Sequence, residues 1–251
     1  MTNLSTRFFG LELKSPVIAA SCSMTGNLDS IKKIAQAGAG AIVLKSIFEE
    51  EIYLQLQEEL KQRGSLISDP EYLDYFDYVI REENLNKQVR LIRQAKSETD
   101  VPIVASVNCT TSSEWTFFAG KLQEAGADAI ELNLFIIPSD VTKSNEANER
   151  FYLETVGKIL ESVTIPVTVK ISHYFSNLAA MISTLSLTGV AGITLFNRFY
   201  SPDIDIEKQQ LISAPVYSTE NEYLLPLRWT GIMAPAAGCP LAGRKPRAHI
   251  M

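Results

Sequence analysis

Short apolar runs recur along the chain, separated by longer segments whose apolar residues follow a helical repeat. "QAGAGAIVLKS" (Gln36 to Ser46), "EAGADAIELNL" (Glu124 to Leu134) and "LTGVAGITLFN" (Leu187 to Asn197) each read as a helix end, a glycine turn and a strand. "VPIVASVN" (Val101 to Asn108) and "IPVTVKIS" (Ile165 to Ser172) read as strands entered through a proline, which a strand tolerates at its first residue. Helical patterns lie between them at 29–36, 85–96, 113–124, 146–160 and 177–187. Strands that are apolar on both faces and alternate with helices predict parallel strands covered by helices. Six βα units are present, which makes the expected fold α/β, a (β/α)₈ barrel with about six of its eight units.

Polar residues interrupt these strands in a regular place. In "AIELNLFIIPSD", Glu131 and Asn133 are two residues apart and so point to one face of a buried strand. An unpartnered carboxylate or amide there costs several kcal/mol, roughly, so the pair marks a site or an opening to water. The other strands also finish in hydrogen-bonding or cationic groups: Ser21, Lys45, Ser106 with Asn108, Lys170 and Asn197. In a barrel such ends converge on the C-terminal face, where catalytic and cofactor groups sit. Asn133 is therefore expected to face a ligand, and Glu131, one layer deeper, to need an interior partner. Two lysines, several amides and small hydroxyls suit a planar polar ligand with anionic character, such as a flavin with its phosphate.

Composition narrows the classes. The chain has 251 residues, 46% hydrophobic and 21% charged, which fits one large domain. A net charge of −6 and a pI near 5.1 argue against nucleic acid or an anionic membrane as partner. Cys22, Cys109 and Cys239 are widely spaced and only two histidines occur, so neither a disulfide framework nor a metal site is indicated. The N-terminal stretch lacks an apolar signal region and no run is long enough to cross a bilayer, so a soluble, cytoplasmic protein is expected.

The pieces "LSTRFFGLELKSPVIAAS", "AGAGAIVLKS", "VPIVASV", "AGADAIELNL", "IPVTVKIS" and "LFNRFYSPDID" followed by "LPLRWTGIM" resemble, in this order, the class 1 dihydroorotate dehydrogenases, FMN enzymes of pyrimidine biosynthesis. The similarity runs from Leu4 to about Met233 and is nearest to the dihydroorotate dehydrogenase-like branch. It implies oxidation of dihydroorotate to orotate by hydride transfer to flavin. It also implies that Ser21, Lys45 and Ser46 contact FMN, with Ala20 lining its site, and that Lys45 also reaches substrate. Ser106 takes a position where the family often has an FMN-contacting Asn, and Asn108 points the same way and is an alternative to it. Asn133 would bridge flavin and substrate, Lys170 would stand against the flavin's electron-accepting edge, and Asn197 would bind the substrate ring. A homodimer is the family's expectation.

Three departures bear on these roles. The position of the family's Cys or Ser base holds Ile136, which cannot accept a proton. Ser139 and Asp140 are nearby alternatives, although capping the next helix is the expected role of both; His173 follows Lys170 in a loop, where a lone histidine is expected to be solvated, although it lies close enough to be a further alternative as base. The loop after the second strand is an acidic, aromatic insertion, 48–84, in which Ile47, Leu54, Leu56 and Leu60 predict a helix face and Tyr72, Tyr75, Phe76 and Tyr78 a lid. The two readings of this insertion are a substrate cover and ordinary loop packing.

The third departure is the end. Residues 234–251, "APAAGCPLAGRKPRAHIM", show neither helical nor strand period, and they read as an unstructured tail on a truncated barrel, 1–233. The two units in which the resemblance implies FMN-phosphate binding are missing from this reading, so weak FMN binding and exposed edges at the first and sixth strands are expected. The alternatives to a dihydroorotate dehydrogenase are an FMN oxidoreductase acting on another substrate and an inactive, incomplete barrel.

Overall fold

A computed structural model of the chain describes residues 3–48, 52, 70–108, 112–197, 202–213 and 220–243. It opens with a hairpin, β1 (Thr6–Phe8) and β2 (Leu11–Leu13), joined by Phe9 and Gly10. Both turn residues have positive φ, 55° and 69°, as a two-residue hairpin turn whose twist matches its strands requires. Phe9 accepts that conformation while its ring is 1% exposed, edge-on to Phe8 at 4.6 Å.

The parallel sheet begins with β3 (Ile18–Ala19) and continues through α1 (Leu28–Gln36) and β4 (Ala41–Val43). The two-residue β5 (Ile47–Phe48) and the long α2 (Pro70–Glu98) lead to β6 (Ile103–Asn108). Then come α3 (Ser112–Glu124), β7 (Ala129–Asn133), α4 (Asn145–Ser162), β8 (Val167–Ile171), α5 (Leu178–Ser186) and β9 (Gly192–Leu195). An antiparallel pair, β10 (Pro202–Asp205) and β11 (Gln210–Ser213), precedes α6 (Leu224–Met233) and β12 (Leu241–Gly243). The strand order is β12-β9-β8-β7-β6-β4-β3, with β5 paired beside it to β6. Seven consecutive parallel strands with helices alternating between them form a curled, open part of a (β/α)₈ barrel.

The repeated "AGA"-type signals are the helix stops. Gly38, Gly126 and Gly189 follow α1, α3 and α5 with φ of 89°, 98° and 98°, the left-handed conformation that ends a helix at little cost only in glycine. Side chains then alternate along each strand between two apolar clusters. Ile42, Ile103, Ile130, Val169 and Ile193 pack outward under the helices, whereas Ala41, Val43, Val104 and Ala129 pack inward around Phe8, Phe9 and Leu13. The hairpin therefore plugs the N-terminal end of the barrel and leaves the C-terminal end to the polar residues.

Three expectations change. Residues 234–243 are not an irregular tail: Leu241–Gly243 pairs in parallel with Ile193–Leu195, because the exposed backbone of β9 templates a strand that "PLAG" would not form by pattern alone. One open edge is that of β3, the first of the six predicted strands, as expected; the other is that of β12, in place of the sixth strand, β9. Ile47 lies in β5 and is buried, not on a helix, while Leu54, Leu56 and Leu60 fall outside the described residues. Of the aromatic residues assigned to a lid, Tyr78 is exposed on α2. The side chains of Tyr72, Tyr75 and Phe76 lie outside the described ones. No described helix is long and apolar enough to cross a membrane.

Gly40, just before β4, donates its N–H to Val17 O at 2.8 Å and lies against the Ser15 carbonyl, where a Cβ would overlap a main-chain oxygen that cannot swing away. Gly40→Ala should cost about 3 kcal/mol by overpacking the junction between β3 and β4. In urea the midpoint should fall with the slope unchanged, and an unshifted midpoint would refute this contact.

Candidate functional site

The pairing of β7, β8 and β9 places the site. Glu131 stands opposite Thr168, Asn133 opposite Lys170, and Lys170 opposite Thr194. Their strand neighbours Ile130, Leu132, Val169, Ile171, Ile193 and Leu195 belong to the cluster under the helices, so these polar side chains face the barrel interior. There Glu131 finds its partners: Thr194 Oγ1 donates to Oε2 at 3.2 Å, and Lys170 Nζ lies 3.7 Å from Oε1. The Lys170 and Glu131 side chains are 9% and 4% exposed. At that separation the attraction is about 4–5 kcal/mol for an effective dielectric of about 20. Desolvation of two ions opposes it by several kcal/mol each, roughly, so the net contribution is small while loss of one partner is costly.

The pair leaves hydrogen-bonding capacity open. Glu131 Oε1 and Asn133 Oδ1 are buried and have no hydrogen-bond partner among the described residues. Glu131, Lys170 and Thr194 form a polar wall of a cavity of about 250 Å³. Phe8 and Phe9 close it from the hairpin side, and Ala20 on one sheet edge and Ala242 on the other complete its rim. It is thus an apolar chamber with one ammonium and one carboxylate in its wall.

A second polar line crosses the neighbouring strands. Ser46 N donates to Ser21 Oγ at 3.0 Å, the two hydroxyls are 3.0 Å apart, and Ser46 Oγ is 2.6 Å from Ser106 Oγ. The structure thereby brings together three residues assigned to the cofactor: Ser21 just after β3, Ser46 between β4 and β5, and Ser106 within β6. Ser106 is fully buried within this chain of hydroxyls, whereas Asn108 is half-buried at the end of β6. Lys45 is half-buried beside Gly26, with its backbone carbonyl accepting from Gln88 Nε2 at 3.1 Å.

Asn197 is buried but differently engaged. Its Nδ2 donates to Leu134 O at 2.8 Å and to Lys170 O at 3.2 Å, so the amide ties the ends of β7 and β8 together. Only its carbonyl oxygen is left for a ligand. It lies beyond the end of β9 and three residues from Thr194, and so does not continue that strand's inward phase.

The loop after β7 turns away from this chamber. Ile136 packs against the helix-side core and its N–H donates to Tyr152 Oη at 3.1 Å. Burial raises the Tyr152 pKa, so it stays a neutral phenol. Ser139 is exposed, and Asp140 accepts from Thr142 N and Oγ1, bonds that hold its carboxyl below the usual range. Neither caps α4: Ser144 does, accepting from Ala147 N at 3.2 Å. The expected caps were one turn of loop too early, because the chain spends Asp140 on a local turn first. Ile136, Tyr152 and His173 share a second cavity of about 310 Å³, with Asn145, Asn148 and Phe175. Burial lowers the His173 pKa from 6.5. Cys239 is no nucleophile, since burial pushes its thiol up to about 11, and Cys109 lies outside the described residues.

Thr194 and Tyr152 are the residues that sequence reasoning missed. A period-two count through "GITL" would have placed Thr194 inward, whereas nothing local connects Tyr152 to Ile136.

No protein-family model matches the chain. The catalytic subunit of dihydroorotate dehydrogenase B (NAD(+)) from Thermoplasma volcanium is 28% identical over 187 residues, 71% of this chain and 57% of that protein. The same subunit from Anoxybacillus flavithermus is 26% identical over 220 residues, 85% of this chain and 67% of that one. The NAD-dependent dihydropyrimidine dehydrogenase subunit PreA of Escherichia coli is 24% identical over 226 residues, 85% of this chain and 52% of its own. The chain thus spans between about half and two thirds of the length of these relatives. Among solved structures, an IMP dehydrogenase/GMP reductase-like protein from Corynebacterium glutamicum aligns over 96% of this chain and 60% of its own, with a TM-score of 0.47 and 12% identity.

If Asn197 ties β7 to β8, Asn197→Leu should destabilise the fold by about 1–3 kcal/mol, because Leu134 O loses its donor while Lys170 O, which keeps Leu134 N, loses its second. Thermal unfolding monitored by circular dichroism reads this directly. An unchanged melting temperature would return Asn197 to a purely ligand-binding role.

Proposed function

Because the chain belongs by sequence to the dihydroorotate dehydrogenase family, we propose that it serves an FMN-dependent oxidation of dihydroorotate to orotate. The observation that carries this reading is the buried Lys170 ammonium beside the unpartnered Asn133 Oδ1, at paired positions on β7 and β8. A cation that is nearly dry and an acceptor with no donor fit the edge of a flavin, and Ala20 and the linked Ser21, Ser46 and Ser106 would hold its other contacts. FMN, when bound, supplies the hydride acceptor. Lys170 would hold a positive charge at that edge of the bound flavin, and without reorganising, since its strand is packed on both faces. Asn133 Oδ1 takes an N–H donor and orients it.

The accompanying proton needs an acceptor, and Ile136 is none. His173 shares a cavity with Ile136, and its lowered pKa keeps the imidazole neutral near pH 7, able to accept. Ser139 and Asp140 are exposed and serve the loop. The rate should therefore rise with pH through an imidazole pKa below 6.5.

A second reading has its own support. The apolar Ile136, with its N–H held by Tyr152, favours a related FMN oxidoreductase working on a different reduced ring. Spectra and substrates separate the readings. A flavin spectrum in the purified protein excludes the inactive barrel. Anaerobic bleaching by dihydroorotate supports the first reading, whereas bleaching by dihydrouracil alone supports the second.

Lys170→Met should slow flavin reduction in a stopped-flow experiment by about a hundredfold or more, the usual effect of removing one preorganised charge stabiliser. Reduction at the wild-type rate would remove Lys170 from the chemistry.

A further inference from the structure

The mechanism above uses Lys170 but leaves Glu131 idle, although a carboxylate 4% exposed is among the costliest groups in the barrel. We propose that Glu131 is a positioning residue that anchors the Lys170 ammonium in the interior layer and sets the net charge a ligand meets there. A lysine carries its charge on a flexible four-carbon stem, and at the mouth of a barrel it would extend toward water unless held. Glu131 lies one layer below Asn133 on the adjacent strand, and its Oε2 is fixed by Thr194 Oγ1 at 3.2 Å, which turns Oε1 toward Nζ at 3.7 Å. That separation exceeds a hydrogen bond, so Lys170 keeps its donors for a ligand while remaining inside the carboxylate's field. The ligand meets a paired ion whose positive end faces it, and not a full isolated charge.

The test uses four chains: wild type, Glu131→Gln, Lys170→Met and the double variant. Their unfolding equilibria in urea need no flavin. Lys170→Met strands the carboxylate and should shift the equilibrium toward unfolding by about a hundredfold. Adding Glu131→Gln should recover at least about tenfold of that loss. Strictly additive effects would overturn the proposal, because two residues that do not feel one another cannot anchor one another.

The second arm rests on the flavin reading. With FMN added, Glu131→Gln leaves the lysine uncompensated and should favour flavin reduction by about tenfold, an upward shift of about 30 mV for a two-electron couple, which a purely structural role would not produce. Coupled stabilities with bound flavin at an unmoved potential would overturn the charge-setting role. Coupled stabilities with no FMN taken up by any of the four chains would uphold Glu131 as the anchor and overturn the flavin reading instead.

Discussion

A charged carboxylate inside a parallel barrel constrains everything around it. Both faces of β7 and β8 are buried, so water cannot solvate Glu131, and its charge has to be met by groups that the same sheet delivers. Lys170 and Thr194 meet it only if β7, β8 and β9 hold one register. A slip of one residue would turn Glu131 into the aliphatic layer under the helices and leave Lys170 facing Leu or Ile. The ion pair adds little net stability, yet it penalises every other pairing of these strands. That specificity also puts Asn133 beside Lys170.

The hairpin at the start of the chain makes this economy workable. By filling the N-terminal end of the barrel with Phe8, Phe9 and Leu13, it leaves apolar packing to one end and the polar layer to the other. The cavity between them has aromatic rings on one side and the Glu131–Lys170 pair on the other. A low-dielectric floor strengthens the field of whatever charge stands above it.

Local pattern made part of this legible. Two-residue alternation put Asn133 and Lys170 on the inner face and showed that Glu131 needed a partner, and the repeated glycine stops located the strands. Which residue would meet Glu131 was not legible, because cross-strand register is a long-range property: Thr194 sits 63 residues away and looks locally like any β-branched strand residue. β12 escaped for a related reason. "PLAG" is short and flanked by residues typical of turns, and it becomes a strand through the free backbone of β9. Asn197 is the more instructive case: its amide was counted with the inward residues, but it lies past the strand's end, where it gives Leu134 O its donor and adds a second donor to Lys170 O.

The two halves of the proposed oxidation, hydride and proton, map onto one pair of strands at two heights. Asn133 and Lys170 are paired in register, so residues three further along each strand leave the sheet at the same level. Those residues are Ile136 and His173, and they share a cavity separate from the chamber that Lys170 lines. Leu134 N, bonded to Lys170 O at 3.0 Å, continues the pairing one step past β7, and Asn197 clamps the same carbonyl from the other side. The positions proposed for charge stabilisation and for proton removal therefore lie on strand ends tied together by a few hydrogen bonds. With that geometry, an isoleucine at position 136 lines one wall of the cavity with hydrocarbon, and the imidazole of His173 is the group in the same cavity that the proposed oxidation would use for the proton.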